Sequence, residues 1–310
     1  MITSAWGAEG SGKSSYGLTY PKPLFHLDLD LGGFDRAAWR IIDEAKKAGT
    51  ELRVKICEPK EDITAIDWDE WDVVTKPYLA PVQIEKLMGV QAGPSIRFPR
   101  KVVGIKELWQ EIVVDFIAVC QARPIKTVMT DSATQLWWIA HTSLLQEKQE
   151  IQVGQRMVES DPKFRERLQP VEFPNDRMRS LIYTARSSGK NLVMTHYPKD
   201  VYKERMGANG VESYKSGDVE PDGFKHTVTL DDLVIWCWAE VDKNREITDM
   251  SPENFGKKIP NPNFNKPQPH AKIDLKCGLA GMGMAAVGLE LPAPTYDGLM
   301  ELQAMMRGEA

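Results

Sequence analysis

An α/β fold with a mainly parallel central sheet flanked by helices is predicted by three features of the sequence. A glycine-rich loop joins a short apolar run to a helix-compatible stretch within residues 1–20, and further short apolar segments alternate with segments of helical spacing. Those apolar segments also end on polar residues or glycine, as strands do where they leave a sheet. With 310 residues the chain can bury a sizeable core, and one large domain with additions is the expectation.

The loop comes first. Residues 7–14 read GAEGSGKS and satisfy G-x-x-x-x-G-K-[ST] at every fixed position. In such a loop the backbone N–H groups of Gly7, Ala8, Glu9, Gly10, Ser11 and Gly12 curl around phosphate oxygens, and the glycines let the main chain come that close. Lys13 places a positive charge on the outer phosphates, and Ser14 offers its hydroxyl to Mg²⁺. Ser14 and Ser15 open a helix whose positive dipole end faces the anion. Met1 to Trp6 is the strand before it, and Lys13 to Tyr20 the helix after it, closed by Pro21 and Pro23.

Leu24 to Asp30 (LFHLDLD) reads as a strand that leaves the sheet at Gly32-Gly33, with Asp28 and Asp30 near its end. Phe34 to Ala48 has helical spacing and Leu52 to Ile56 is a short strand. Between residues 57 and 103 five prolines and the acidic run DITAIDWDEWD (62–72) break the rhythm and suggest an insertion outside the sheet, its Trp68 and Trp71 pinning a long loop to the body or marking a partner surface. Gly104 to Arg123 is an amphipathic helix. Ile125 to Thr130 is a strand closing on Asp131-Ser132, and a helix begins near Ala133. An apolar strand ending in aspartate is expected beside the phosphate loop on a neighbouring parallel strand, where it orients Mg²⁺, so Asp131 is paired with Ser14 as a metal residue.

Gln146 to Asp176 is polar and reads as solvent-facing, with Arg156, Lys163, Arg165 and Arg167 grouped among acids. Arg177 to Ser188 is a helix, and Asn191 to Thr195 a strand with His196 at its tip. The glycine-bearing stretch 197–223 is expected to be a mobile loop. His226 to Leu230 and Leu233 to Glu240 read as two further strands. A core over 1–241 is then followed by a proline-rich linker in the 260s and a C-terminal extension over 242–310 with a closing helix at Tyr296 to Met306.

Composition excludes some classes. Lysine and arginine total 39 against 44 acids, a net charge of −5, so no generally basic nucleic-acid surface exists and any such contact needs a local cluster. The four cysteines form no C-x-x-C pair, which suggests neither zinc site nor disulfide framework and fits a reducing cytoplasm. No run approaches the roughly 20 apolar residues needed to span a bilayer.

With its strand tips placed, the chain resembles the RecA-like branch of P-loop ATPases over residues 1 to about 241, most closely the small phage-type nucleotide-binding proteins linked to single-strand annealing and recombination. LDLDLGG (27–33) is similar to the family segment whose glutamate activates the attacking water, with Asp30, one methylene shorter, in its place. TVMTDSATQL (127–136) resembles the family's apolar-Asp-Ser strand end. THY (195–197) falls where the family keeps a polar γ-phosphate sensor, which places His196 in that role. The resemblance implies a Mg²⁺-dependent ATPase with Lys13, Asp30, Asp131 and His196 as catalytic residues, working as a homo-oligomer, ring or filament, on single-stranded DNA with recombination or replication proteins. It further implies that Lys225 reaches a neighbouring subunit's ATP, and 261–302 is similar to the closing segment of the phage group. The 199–225 loop that would hold DNA carries five basic residues against six acids, with Tyr202 and Tyr214 available for stacking. Two other classes share the loop: a nucleotide-dependent assembly switch without a DNA role, and a P-loop kinase.

Overall fold

The computed structural model describes residues 1–30, 33–47, 49–81, 102–154, 172–207, 210–224, 226–248, 251 and 255–309. The Arg156, Lys163, Arg165 and Arg167 group, Lys225 and much of the 57–103 segment lie outside these residues.

The chain begins with β1 (Ile2–Trp6), the phosphate-loop segment, and a short helix, α1 (Lys13–Gly17). β2 (Leu24–Asp28), α2 (Gly33–Lys47), β3 (Val54–Ile56) and β4 (Val73–Pro77) follow. After α3 (Ile105–Gln121) come β5 (Thr127–Asp131), α4 (Ala133–Gly154), α5 (Glu172–Ser187) and β6 (Asn191–His196). β7 (Pro198–Gly207) and β8 (Gly210–Pro221) form a separate two-stranded antiparallel sheet. The one-turn α6 (Thr227–Leu230) leads to β9 (Leu233–Val241), the small pair β10 (Glu246–Thr248) and β11 (Lys258–Pro260), β12 (Pro267–Cys277), and α7 (Tyr296–Arg307).

Eight strands make the central sheet in the order β12-β9-β1-β6-β5-β2-β4-β3, every neighbouring pair parallel except β12 with β9. Strand residues alternate between the two faces. Phe25, Leu27, Val128, Leu192 and Met194 meet Ile112, Phe116, Leu136, Ile139 and Ile182 of α3, α4 and α5. Leu24, Met129, Val193 and Ile235 meet Tyr16, Ala37, Ile41 and Leu299 of α1, α2 and α7 on the other face. Parallel strands covered on both faces are apolar almost throughout, which is why these segments stand out in the sequence.

Five local expectations are corrected. The 57–103 segment is not wholly outside the sheet: β4 is inserted between β2 and β3, its apolar Val73 and Val74 buried, while Trp68 packs edge-on against Phe25 at 5.9 Å and pins the preceding turn. The polar stretch at 146 continues α4, and Gln146 is buried because its side-chain oxygen accepts from the Ile105 and Lys106 amides at 2.9 Å, which have no intrahelical partner at the start of α3. The glycine-bearing stretch after His196 is a hairpin with ion pairs across it. Residues 227–230 form a helical turn rather than a strand. The proline-rich 260s run directly into β12, where an antiparallel edge position tolerates Pro267 and Pro269. The four cysteines are free and buried. Among the described residues no helix is long and apolar enough to cross a membrane.

Candidate phosphate site

The loop after β1 is held by close packing that only glycine permits at two positions. A Cβ on Gly7 would lie 2.2 Å from the Cys237 carbonyl oxygen and 2.7 Å from Ser11 Oγ. Gly12 adopts φ +88°, left-handed, immediately before α1, and a Cβ there would lie 3.0 Å from Cβ of Pro269. β9 and β12 therefore wall the loop on one side. A cavity of about 380 Å³ opens on the other, lined by residues 9–15 with Asp30, Arg36, Ala37 and Tyr197.

Lys13 is buried in that wall. Its Nζ donates to the Ala8 carbonyl at 3.2 Å and sits 4.3 Å from the centre of the Tyr197 ring. Burial lowers its pKa, while the carboxylates of Asp131 and Asp30 pull it back up. Lys22 closes the far end of α1, its Nζ donating to the Leu18 and Tyr20 carbonyls at 2.5 and 3.0 Å. The first turn of the helix is thus fixed at both ends.

Asp131 stands at the tip of β5, two strands from β1, because β6 runs between them. The expected neighbouring-strand placement is thereby corrected. The intervening strand contributes a partner: Thr195 Oγ1 donates to Asp131 Oδ1 at 2.5 Å. On the opposite side His26 of β2 brings Nε2 to 3.7 Å from Oδ2, too far for a hydrogen bond, and its Nδ1 is paired with Thr75 Oγ1 at 2.8 Å. Burial works to raise the Asp131 pKa, yet the His26 imidazole and the hydroxyls of Ser14 and Thr195 outweigh it and hold the carboxyl below its ordinary value. Asp131 is an ionised, buried carboxylate whose Oδ2 has no hydrogen-bond partner.

An orphaned anionic oxygen beside the Lys13 and Ser14 end of the loop fits a hydrated divalent cation, since Mg²⁺ takes one or two protein oxygens and completes its shell with water and phosphate. Among the described residues no group of three or more His, Cys, Asp or Glu could cage a metal by itself. The donor set suits Mg²⁺ held jointly with a phosphate ligand, and Ser14 and Asp131 are the residues that would hold it.

β2 and β5 pair so that Asp28 lies opposite Asp131. Burial raises the pKa of Asp28, with Asp131 adding to the rise against the lowering effect of His26. Asp30, just beyond the strand, lines the cavity and accepts from the Tyr197 hydroxyl. Its amide donates to Asp28 Oδ1 at 3.3 Å.

Of the expected site residues, Gly7, Ala8, Asp131 and His196 do not line the cavity, and His196 lies on the far face of the sheet. Thr195 takes the side of β6 that faces Asp131, so the pleat sends His196 to the other side. Its ring is buried, Nε2 lies 3.1 Å from Ser4 Oγ and Nδ1 lies 2.9 Å from the Asp222 carbonyl oxygen. Nδ1 donates to that carbonyl, leaving Nε2 to accept from Ser4. Burial lowers the His196 pKa to about 4, so the ring stays neutral. Three cavity or cation-site residues were missed from sequence: Tyr197, whose signal was its place one residue past the strand, Arg36 in the first turns of α2, and Thr195 within an apolar run.

Strand, glycine loop and helix in sequence, with carboxylates at the tips of two further parallel strands, define a P-loop architecture. No protein-family model matches the chain, and no curated protein matches it. Among solved structures, the KaiC-like protein PH0186 of the hyperthermophilic archaeon Pyrococcus horikoshii OT3 is similar at 12% identity and a TM-score of 0.36, over 88% of this chain and 78% of that one.

Proposed function

We propose that this chain is a RecA-like ATPase that binds and hydrolyses ATP with Mg²⁺. The observation that carries the reading is the ionised Oδ2 of buried Asp131, which has no hydrogen-bond partner, with His26 Nε2 3.7 Å away, and which lies within electrostatic reach of Lys13 in the glycine-rich loop. The loop residues 9–15 that line the cavity bind the phosphates and Lys13 neutralises the outer ones. Ser14 and Asp131 hold Mg²⁺, which when bound spreads the charge of the phosphate oxygens. Asp30 orients the attacking water from the cavity wall. His196 contributes from behind the sheet, its ring linking Ser4 of β1 to the Asp222 carbonyl beside the hairpin. Positioning and charge neutralisation are what phosphoryl transfer to water mainly requires.

A second, finer reading couples turnover to single-stranded DNA in a homo-oligomer, and it is favoured by the exposed Tyr202 and Tyr214 on the β7–β8 hairpin. Against it, Lys199, Lys203, Arg205 and Lys215 each pair with an acid of the same hairpin. An assembly switch without DNA follows if those pairs persist. Phosphate release from Mg²⁺-ATP, measured with and without single-stranded DNA from low to high salt, tests both. Release that DNA stimulates and salt abolishes supports the finer reading; release indifferent to DNA leaves the ATPase and the switch; no release refutes the ATPase.

A further inference from the structure

Tyr197 sits where neither the loop motif nor the strand-tip carboxylates account for it. Its hydroxyl donates to Asp30 Oδ2 and its ring lies over Lys13 Nζ at 4.3 Å. The ammonium's hydrogen bond goes to the Ala8 carbonyl, and Lys13 and the ring line the same cavity side by side. The two charged groups expected to serve the outer phosphate and the attacking water are therefore bridged by one phenol. Burial and the nearby Asp30 carboxylate raise the phenol's pKa, so it remains a proton donor.

The backbone of Tyr197 is fixed from several directions. Its amide donates to Thr134 Oγ1 at 3.2 Å, its carbonyl accepts from the Asp222 amide at 2.7 Å, and Thr134 Oγ1 donates to the Asp222 carbonyl at 2.9 Å. The neighbouring His196 is locked by Ser4 and the same carbonyl. With the main chain pinned, the ring can leave Lys13 only by rotating about its own side-chain bonds. That is a small, local change which swaps one set of partners for another.

The lysine of a glycine loop of this kind reaches the β- and γ-phosphates. A diphosphate needs the loop amides and part of the Lys13 charge; a triphosphate needs the outward side of the ammonium and the space beside Asp30 as well. We propose that Tyr197 is a specificity-determining residue that sets the ratio of triphosphate to diphosphate affinity by occupying Lys13 and Asp30 when no terminal phosphate is present. This rests on the nucleotide-binding reading above. The device works as a competitor: the terminal phosphate binds only as tightly as its contacts exceed the cation–π contact and the charged hydrogen bond it displaces.

The test is calorimetric titration of the full chain with Mg²⁺ and either the β,γ-imido analogue of ATP or ADP, for wild type, Tyr197→Phe and Tyr197→Leu. Tyr197→Phe deletes only the bond to Asp30, and Tyr197→Leu also removes the ring from Lys13. The expected result is a rise in affinity for the imido analogue of about 5-fold or more in Tyr197→Leu, a smaller rise in Tyr197→Phe, and a change of less than about 2-fold for ADP in both. Equal shifts for the two nucleotides, or weaker binding of the imido analogue, would overturn the proposal while leaving the nucleotide site intact. Failure of wild type to bind either nucleotide overturns both it and the reading on which it rests. Tyr197 is only partly buried, and thermal unfolding of each variant establishes that the comparison is made on folded protein.

Discussion

Replacing Thr195 by valine removes one hydroxyl from β6 at nearly constant volume and takes from Asp131 Oδ1 its 2.5 Å donor. The pair is fully enclosed, with Asp131 2% exposed, so solvent offers no substitute. A hydrogen bond to a charged group contributes about 1.5–3 kcal/mol, and that much of the carboxylate's preference for its ionised form is lost. Two consequences follow from one cause. The Asp131 pKa rises, because burial then opposes ionisation with only His26 and Ser14 against it. Loss of a partner that orients a metal-binding group typically costs 10- to 100-fold in metal affinity, so the Mg²⁺ concentration for half-maximal ATP turnover should rise by about that factor. Turnover at saturating Mg²⁺ should fall much less.

The pH dependence has a defined sign. A carboxyl whose folded pKa is depressed stabilises the protein above its unfolded value, about 3.9, and that stability is lost as pH falls through the folded value. Thr195→Val therefore moves the loss to higher pH, and its acid unfolding midpoint should lie above that of wild type. Thr195→Ser, which keeps the hydroxyl, should restore most of both properties. If Thr195→Val left the Mg²⁺ dependence unchanged while lowering turnover at every Mg²⁺ concentration, Asp131 would not be the cation's residue and the reasoning would be refuted.

Other perturbations give equally definite outcomes. Gly7→Ala forces a Cβ to within 2.2 Å of the Cys237 backbone oxygen, and urea unfolding should show a loss of about 3 kcal/mol together with loss of nucleotide binding. Asp115→Ala removes one of the two carboxylates on the buried Lys76 ammonium, at 2.6 Å with Glu111 remaining at 3.0 Å, together with the acceptor of the Tyr78 hydroxyl, and should cost about 1–3 kcal/mol in the same assay; adding Glu111→Gln, which leaves the ammonium neither carboxylate, should raise the cost to about 3–5 kcal/mol. Asp231 is buried with both carboxyl oxygens unpartnered, and burial raises its pKa well above the ordinary value. A raised carboxyl pKa gives stability that is present at low pH and lost as pH rises, so Asp231→Asn should raise the melting temperature more at pH 8.5 than at pH 5.5. A gap independent of pH would show that Asp231 does not titrate with folding.

What the sequence disclosed depended on how local the signal was. The loop at 7–14 was legible because its chemistry lies in eight consecutive residues, and β1, β2, β5 and β6 because strands buried on both faces are apolar runs. β4 and β12 were hidden by prolines at their ends, although Pro77 closes one strand and Pro267 opens the other at an edge. The place of β6 between β1 and β5 is a long-range fact that no local pattern carries, and with it went the Thr195 bond to Asp131. His196 is the polar residue at a strand tip that a local pattern picks out, but a period of two puts it behind the sheet, while Tyr197, one step past the strand, reaches the cavity. The hairpin is not legible in the sequence because its residues are polar on both faces, held by cross-strand ion pairs without a buried apolar face.

The most direct test of the ATPase reading is phosphate release from Mg²⁺-ATP by wild type and by Lys13→Ala purified in parallel, with thermal unfolding showing both folded. Lys13 is the loop's own positive charge at the cavity wall, which Arg36 of α2 also lines, and it lies 4.3 Å from the Tyr197 ring within the field of Asp131 and Asp30. Its removal should reduce release by at least about 100-fold, the scale of losing one preorganised charge at a developing anion. Release from Lys13→Ala equal to that of wild type would contradict the assignment of the loop, and with it the function proposed for the chain.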